Sequence, residues 1–294
     1  MMKKIKQQYL SGERALFNSE NLKIEDSIFA EGESPLKESS HIDINQSTFK
    51  WKYILWYCND IKVNNSTILT TARSGIWYTN NIHISNSIIE APKTFRRSSN
   101  IILEHVDMPL AEETLWKCHD IELKHVTVRG DYFGMNSDNI KVDHLNLTGN
   151  YCFDGSTNVE VRNSKLVSKD AFWNCKNVTV YDSTIIGEYL AWNTENLTLI
   201  NCTIESLQGL CYIKNLKMVN CKLINTTLAF EYCENIDATI INHIDSVMNP
   251  ISGVINAPSI GKLIIDKTKV NPEDTKIIIQ SLDNKEIKTQ TCVC

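Results

Sequence analysis

Asn177 begins NVTVYDSTII, Asn196 begins NLTLINCTIE and Asn215 begins NLKMVNCKLI, so one pattern restarts at nineteen-residue intervals. The same anchor can be followed from Asn21 through His41, Asp60, Asn81, Asn100, Asp120, Asn139 and Asn158 to those three and on to Asn235, with spacings of 19 to 21 residues. Self-similarity at a fixed period is the mark of a solenoid, in which each repeat buries its apolar face only against its neighbours. Such a repeat also serves as a control, because a residue that departs from its column needs a reason that stacking alone does not supply.

Counting the anchor as position zero, positions one and three are apolar: Val178 and Val180, Leu197 and Leu199, Leu216 and Met218, Ile140 and Val142. Position two varies, as Thr179, Thr198, Lys217 and Lys141 show. This alternation describes a short strand with one face inward. Positions five and six pair a polar residue with a small one, as in Asp26-Ser27, Asn163-Ser164 and Asp182-Ser183, and read as a turn. No stretch carries helical spacing over ten or more residues, and β-branched residues dominate, which excludes helical repeats. Leucine-rich and hexapeptide repeats lack their consensus here. What remains is an all-β, single-stranded parallel β-helix of about 12–13 coils, each of about 19–20 residues, with about three short strands per coil. Asn occupies nine of the twelve anchors, and Asn tolerates left-handed backbone while its amide can bond the amide in the next coil. The anchor ladder is therefore structural.

The stretches GERALF, GESPLKES, KWKYILWY, SGIWYTNN, KDAFWNC, GEYLAWN and QGLCY resemble a bacterial family of domains of unknown function, number 3737, of the pectate-lyase-like class. The resemblance covers nearly all of the chain. It implies a right-handed β-helix and brings no reaction and no catalytic residues with it. The expected organisation is one domain: residues 1–20 as an N-terminal cap or first strand, 21–270 as the β-helix, and 271–294 as a C-terminal cap and tail, with Asn271 capping a short helix that starts at Pro272.

A net charge of −5 gives no nucleic-acid signal, and no nucleic acid is expected as a partner. No segment approaches the ~18 consecutive apolar residues of a membrane span. The opening MMKKIKQQYLSGERALF has basic residues but no apolar core of a signal peptide, and ten cysteines in such a chain read as thiols. The expectation is a cytoplasmic protein that needs no cofactor or metal. His105, His125 and His144 share position five in three successive coils, where other coils have Asn or Asp, and read as turn residues rather than ligands. Cys202 and Cys221 read as small core residues, and the terminal Cys292-Val293-Cys294 as tail.

The segment ahead of each anchor is less ordinary. Five residues before it stand core residues such as Leu55, Phe95, Phe153 and Phe172, and two before it stand small residues or thiols such as Cys58, Thr79, Ser137 and Thr194. Four before it stand Trp56, Trp77, Arg96, Trp116, Met135, Asp154, Trp173, Trp192, Cys211 and Glu231. Three before it stand Tyr57, Tyr78, Arg97, Lys117, Asn136, Gly155, Asn174, Asn193, Tyr212 and Tyr232. The Trp column either stacks inside the solenoid or under a loop, or lines an open face. Three charges at equivalent places favour the open face, because a dry interior would not accept them singly. Seven and eight before the anchor come Lys52, Arg73, Lys93, Glu113, Asp131, Tyr132, Asp170, Glu188 and Tyr189. Together they draw a strip with a basic end (Lys52, Arg73, Lys93, Arg96, Arg97) and an acidic middle.

Rings beside fixed polar groups suit a carbohydrate or another polyhydroxylated ligand. The expected contacts are Trp56, Tyr57, Arg73, Trp77, Tyr78, Lys93, Arg96, Arg97, Trp116, Tyr132, Trp173, Asn174, Trp192, Asn193, Tyr212 and Glu231. Asp154, with Asp170 or Asp131 as partner and Glu188 nearby, could supply acid and base for glycoside hydrolysis, since neighbouring coils bring carboxyls within ~5–10 Å. That chemistry is favoured over a lyase mechanism, for which no carboxylates flank the arginines. The alternative is a non-catalytic interaction scaffold, with a homodimer as a candidate assembly.

Overall fold

In the computed structural model, which describes residues 2–279, the chain is a right-handed parallel β-helix. It divides into two compact units, residues 1–149 and 150–294.

In the first unit the strand Lys3–Lys6 pairs in parallel with Glu20–Glu25, which is followed by Ser40–Asn45, Asn59–Asn64, Asn80–Ile89, Ser99–Met108, His119–Arg129 and Asp138–Thr148. The register runs Leu22, Ile42, Ile61, Ile82, Ile101, Ile121, Ile140, which is position one of every coil. The N-terminal segment thus contributes a coil of its own, whose Tyr9–Leu10 also pairs with Ile28–Phe29. In the second unit Val159, Val178, Leu197 and Leu216 stand in register. Here Asn271 accepts from the Glu273 amide at the head of the short turn Pro272–Asp274, and Thr275–Ile279 then pairs with Gly253–Ala257. The stack therefore continues beyond the recognisable repeat. The expected tail, including Cys292 and Cys294, lies largely outside the described residues.

All twelve anchors hold φ between +52° and +60°, the left-handed region in which Asn and Asp are least penalised. Their side chains bond from coil to coil: Asn177 to Asn158 (2.9 Å), Asn196 to Asn177 (2.8 Å) and Asn215 to Asn196 (2.7 Å). His105, His125 and His144 are also left-handed, and their rings stack at 4.8 and 4.5 Å. Such stacking lays the rings over one another rather than converging their nitrogens on a point, as a turn ladder requires.

The small-residue column is selected by hydrogen bonding as well as size. Buried Thr194 donates its hydroxyl to the Phe172 carbonyl (2.5 Å) and accepts the Cys175 amide (3.2 Å). Ser137 does the same for Leu115 and Cys118. A hydroxyl both donates and accepts, so one side chain serves two buried backbone groups at once; Phe172 and Cys175 have besides it a longer bond of 3.3 Å to each other. The column five before the anchor is fully buried, with Phe153 and Phe172 stacked at 5.7 Å.

Candidate functional site

The Trp column lies at the solvent boundary in both units, but the two units use it differently. In the first, the ring faces cover one another. Trp56 and Trp77 stack at 5.0 Å with an interplanar angle of 8°, and Tyr57 and Tyr78 stack beside them at 4.7 Å and 4°. Arg96, at the next place in the column, is held between rings, with its guanidinium carbon 5.1 Å from the Trp77 centroid and 4.4 Å from that of Trp116. A planar cation can take the place of an indole in a stack, so the charge there has a structural reason. The three indole N–H groups donate to backbone carbonyls of the following coil: Trp56 to Ser74 (2.7 Å), Trp77 to Lys93 (3.0 Å) and Trp116 to Tyr132 (3.1 Å). Those carbonyls are presented because Ser74, Lys93 and Tyr132 sit in left-handed turns.

The basic end of the strip is paired within this unit. Glu113 Oε2 meets both Arg96 Nη2 and Lys93 Nζ, the latter at 3.2 Å, and Lys52 reaches Glu33 at 3.4 Å. Local pairs thus neutralise three of the five cations at the basic end, Lys52, Lys93 and Arg96. Arg73 and Arg97 are exposed, with Arg97 against the Tyr78 ring. Tyr132 is exposed as well, and Asp131 donates its backbone amide to Glu112.

In the second unit the corner ahead of the Trp column changes shape. Asp170–Ala171, Thr184–Leu190 and Thr203–Gly209 are extended, with Asp170 opposite Tyr189 and Tyr189 opposite Gln208. None of these three takes the left-handed turn found at the same position in the first unit. Trp173 is 36% exposed, Trp192 is half-buried, and among the described residues neither indole N–H has a hydrogen-bond partner. Tyr151 tilts against Trp173 (5.6 Å), Tyr189 meets Trp192 edge-on (5.3 Å), and Trp192 stacks on Tyr212 (5.7 Å). Asn193 donates to Asn174 at 2.9 Å, and both are exposed beside the rings.

The carboxyls of this unit are unequal. Asp154 is half-buried, and that burial raises its pKa against the opposing hydrogen bond from Asn174. Asp170 is only 2% exposed. Its burial lifts the pKa from 3.8 to about 7 against the pull of the Trp192 and Ala191 amides, and the charge of Asp154 adds to the rise. Oδ1 of Asp170 has no hydrogen-bond partner. Ala191 holds a place that Leu or Phe fills in most coils, and the smaller side chain leaves room for this inward carboxyl. Glu188 pairs with Lys169 at 3.4 Å and accepts from the Tyr189 hydroxyl. Glu231, 9% exposed, accepts from Gln208 Nε2 and lies 3.9 Å from Cys211 Sγ.

The structure thus brings Asp154, Asp170, Glu188, Trp173, Asn174, Trp192, Asn193, Tyr212 and Glu231 onto one unit, while the remaining expected contacts belong to the other. Gln208 was missed by sequence reasoning. Its place in the column of Asp170 and Tyr189 was the available signal. Among the described residues no group of three His, Cys, Asp or Glu side chains is arranged to hold a metal ion.

Residues 3–278 match a sequence family described as "Protein of unknown function (DUF3737)". None of the curated proteins matches. Among solved structures, the chain is similar to PfbA, a surface adhesin of Streptococcus pneumoniae, at 8% identity and a TM-score of 0.40, covering 99% of this chain and 90% of that one. It is similar to the A-module of the mannuronan C-5 epimerase AlgE4 of Azotobacter vinelandii at 8% identity and a TM-score of 0.33, covering 96% and 90%. It is also similar to a polygalacturonase from Erwinia carotovora ssp. carotovora at 11% identity and a TM-score of 0.23, covering 87% and 89%.

Proposed function

The chain belongs to the DUF3737 family of proteins of unknown function, and from that footing we propose that it binds a carbohydrate on the second unit, around Trp173, Trp192 and Asp154. The observation that carries this reading is the contrast between the two Trp sets. In the first unit every indole N–H on the strip is satisfied by a carbonyl and the ring faces cover one another. In the second, Trp173 is exposed, both indole donors lack a partner among the described residues, and Asn174, Asn193 and Asp154 stand beside them. A sugar needs an apolar ring face for its C–H surface and fixed polar groups for its hydroxyls, and this face supplies both.

Binding is better supported than cleavage. Glycoside hydrolysis needs two carboxyls that reach the bond from opposite sides. Asp154 can meet a ligand, but Asp170 is sealed from solvent and Glu188 is engaged with Lys169 and Tyr189. The eight cysteines of the described residues are free and buried, which supports placing the protein in a reducing cytoplasm. The test is a glycan array probed with wild-type protein and with Trp173→Ala and Asp154→Asn. Saccharide binding lost in the first variant and weakened in the second is the expected result; binding indifferent to both substitutions would overturn the reading.

A second reading, an interaction scaffold, is favoured by Leu207, 62% exposed next to Gln208 on the rim of the same face. A concentration-dependent dimer abolished by Leu207→Asp and Trp192→Ala would support it.

A further inference from the structure

The charge distribution on the second unit's face narrows the ligand class. Across residues 150–155, 169–174, 188–193, 207–212 and 227–232, which make up the strip of this unit, there are four carboxyls, Asp154, Asp170, Glu188 and Glu231, and one cation, Lys169. That cation is already paired with Glu188 at 3.4 Å. Lys269, which approaches from the segment after the last coils, donates to the Tyr232 hydroxyl and lies 4.0 Å from Asp266. What the face offers a ligand is therefore two indole donors without a partner among the described residues, the Asn174 and Asn193 amides, and the half-buried carboxyl of Asp154. Asp170, 2% exposed, adds its charge at alkaline pH but is itself out of a ligand's reach. Hydroxyls suit this set, because each can donate to a carboxylate and accept from an indole N–H. A ligand carboxylate or sulfate would instead stand against like charge in a partly desolvated place, where such juxtaposition is strongly unfavourable.

Resting on the carbohydrate reading above, we propose that this face selects uncharged oligosaccharides and rejects polyuronates. The selection is a property of this face: in the first unit Glu113 and Glu33 engage Lys93, Arg96 and Lys52, whereas Arg73 and Arg97 stay exposed, and any uronate binding that is lost in the double variant Arg73→Ala, Arg97→Ala belongs to that unit.

The test is a glycan array carrying both neutral and uronate oligosaccharides, followed by calorimetry of the full chain at pH 8 with the best neutral glycan and with hexagalacturonic acid. The neutral ligand is expected to bind at least about tenfold more tightly. The gap should shrink in Asp154→Asn, which removes the charge nearest the exposed rings, and in ~1 M salt, where the Debye length falls to about 3 Å. Equal or tighter binding of hexagalacturonic acid by wild-type protein overturns this inference and leaves the carbohydrate reading standing. Binding to no glycan of either kind removes the carbohydrate reading, and this inference with it.

Discussion

The guanidinium of Arg96 lies 4.4 Å from the ring centroid of Trp116, and Trp77 closes the other side at 5.1 Å. A cation sandwiched in this way contributes about 0.5–2 kcal/mol. Arg96→Ala should lower the unfolding free energy by an amount in that range, read as a lower urea midpoint at unchanged slope. Arg96→Trp, which continues the indole stack, should recover most of the loss. Two variants of equal stability would show that the sandwich adds nothing.

Asp170 should make stability depend on pH in a defined window. Its pKa is raised on folding from 3.8 to about 7. The folded state therefore holds the proton more tightly than the unfolded one, and stability falls as pH rises from about 4 to about 7. Three units correspond to roughly 4 kcal/mol as an upper bound. Asp170→Asn should flatten the pH profile between those limits, measured by chemical denaturation at pH 4.5, 6 and 8. An unchanged profile would remove Asp170 as its source.

The anchor ladder gives a backbone prediction. Asn196 has φ +60°, donates to Asn177 and accepts from Asn215. Asn196→Ala adds a left-handed penalty of roughly 1–2 kcal/mol to the loss of two exposed side-chain bonds. Asn196→Gly keeps only the second loss, so it should be the more stable of the two in thermal melts.

Thr194 tests the small-residue column. Val matches its shape but removes two bonds, leaving the Phe172 carbonyl and the Cys175 amide only their 3.3 Å bond to each other. Each lost hydrogen bond costs about 0.5–1.5 kcal/mol, so Thr194→Val should be destabilised in denaturant titrations. Thr194→Ser and Thr194→Cys should be tolerated, as Ser and Cys occupy equivalent places in other coils.

For ligand contact, Trp173→Phe retains a ring and loses the donor. It should bind saccharide more weakly than wild type and better than Trp173→Ala. Trp77→Phe, in the unit whose ring faces are covered, should leave affinity unchanged in the same calorimetric titration.

Much of this was legible in the chain because the requirements are local and repeated. A residue that must be left-handed in every coil appears as an Asn column, and a hydroxyl that must serve two backbone groups appears as Ser, Thr or Cys. The solvent boundary was legible at the Trp, Arg96 and Asp154 places of the column, but Cys211 and Glu231 in the same column are buried. The meaning of each departure was not legible. Arg96 stands in its column because of the rings above and below it, and pairs with Glu113 from another column.

The repeat by itself determined the solenoid, its inward faces and its ladders, because each follows from a short-range rule applied once per coil. Only the tertiary structure decided that the corner before Trp173 and Trp192 is extended rather than turned. That one difference in backbone withholds the carbonyls that bind the other tryptophans, leaves two indole donors without a partner among the described residues, and carries Asp170 inside beside Ala191. It depends on how neighbouring coils pack against one another, which no single coil's sequence contains.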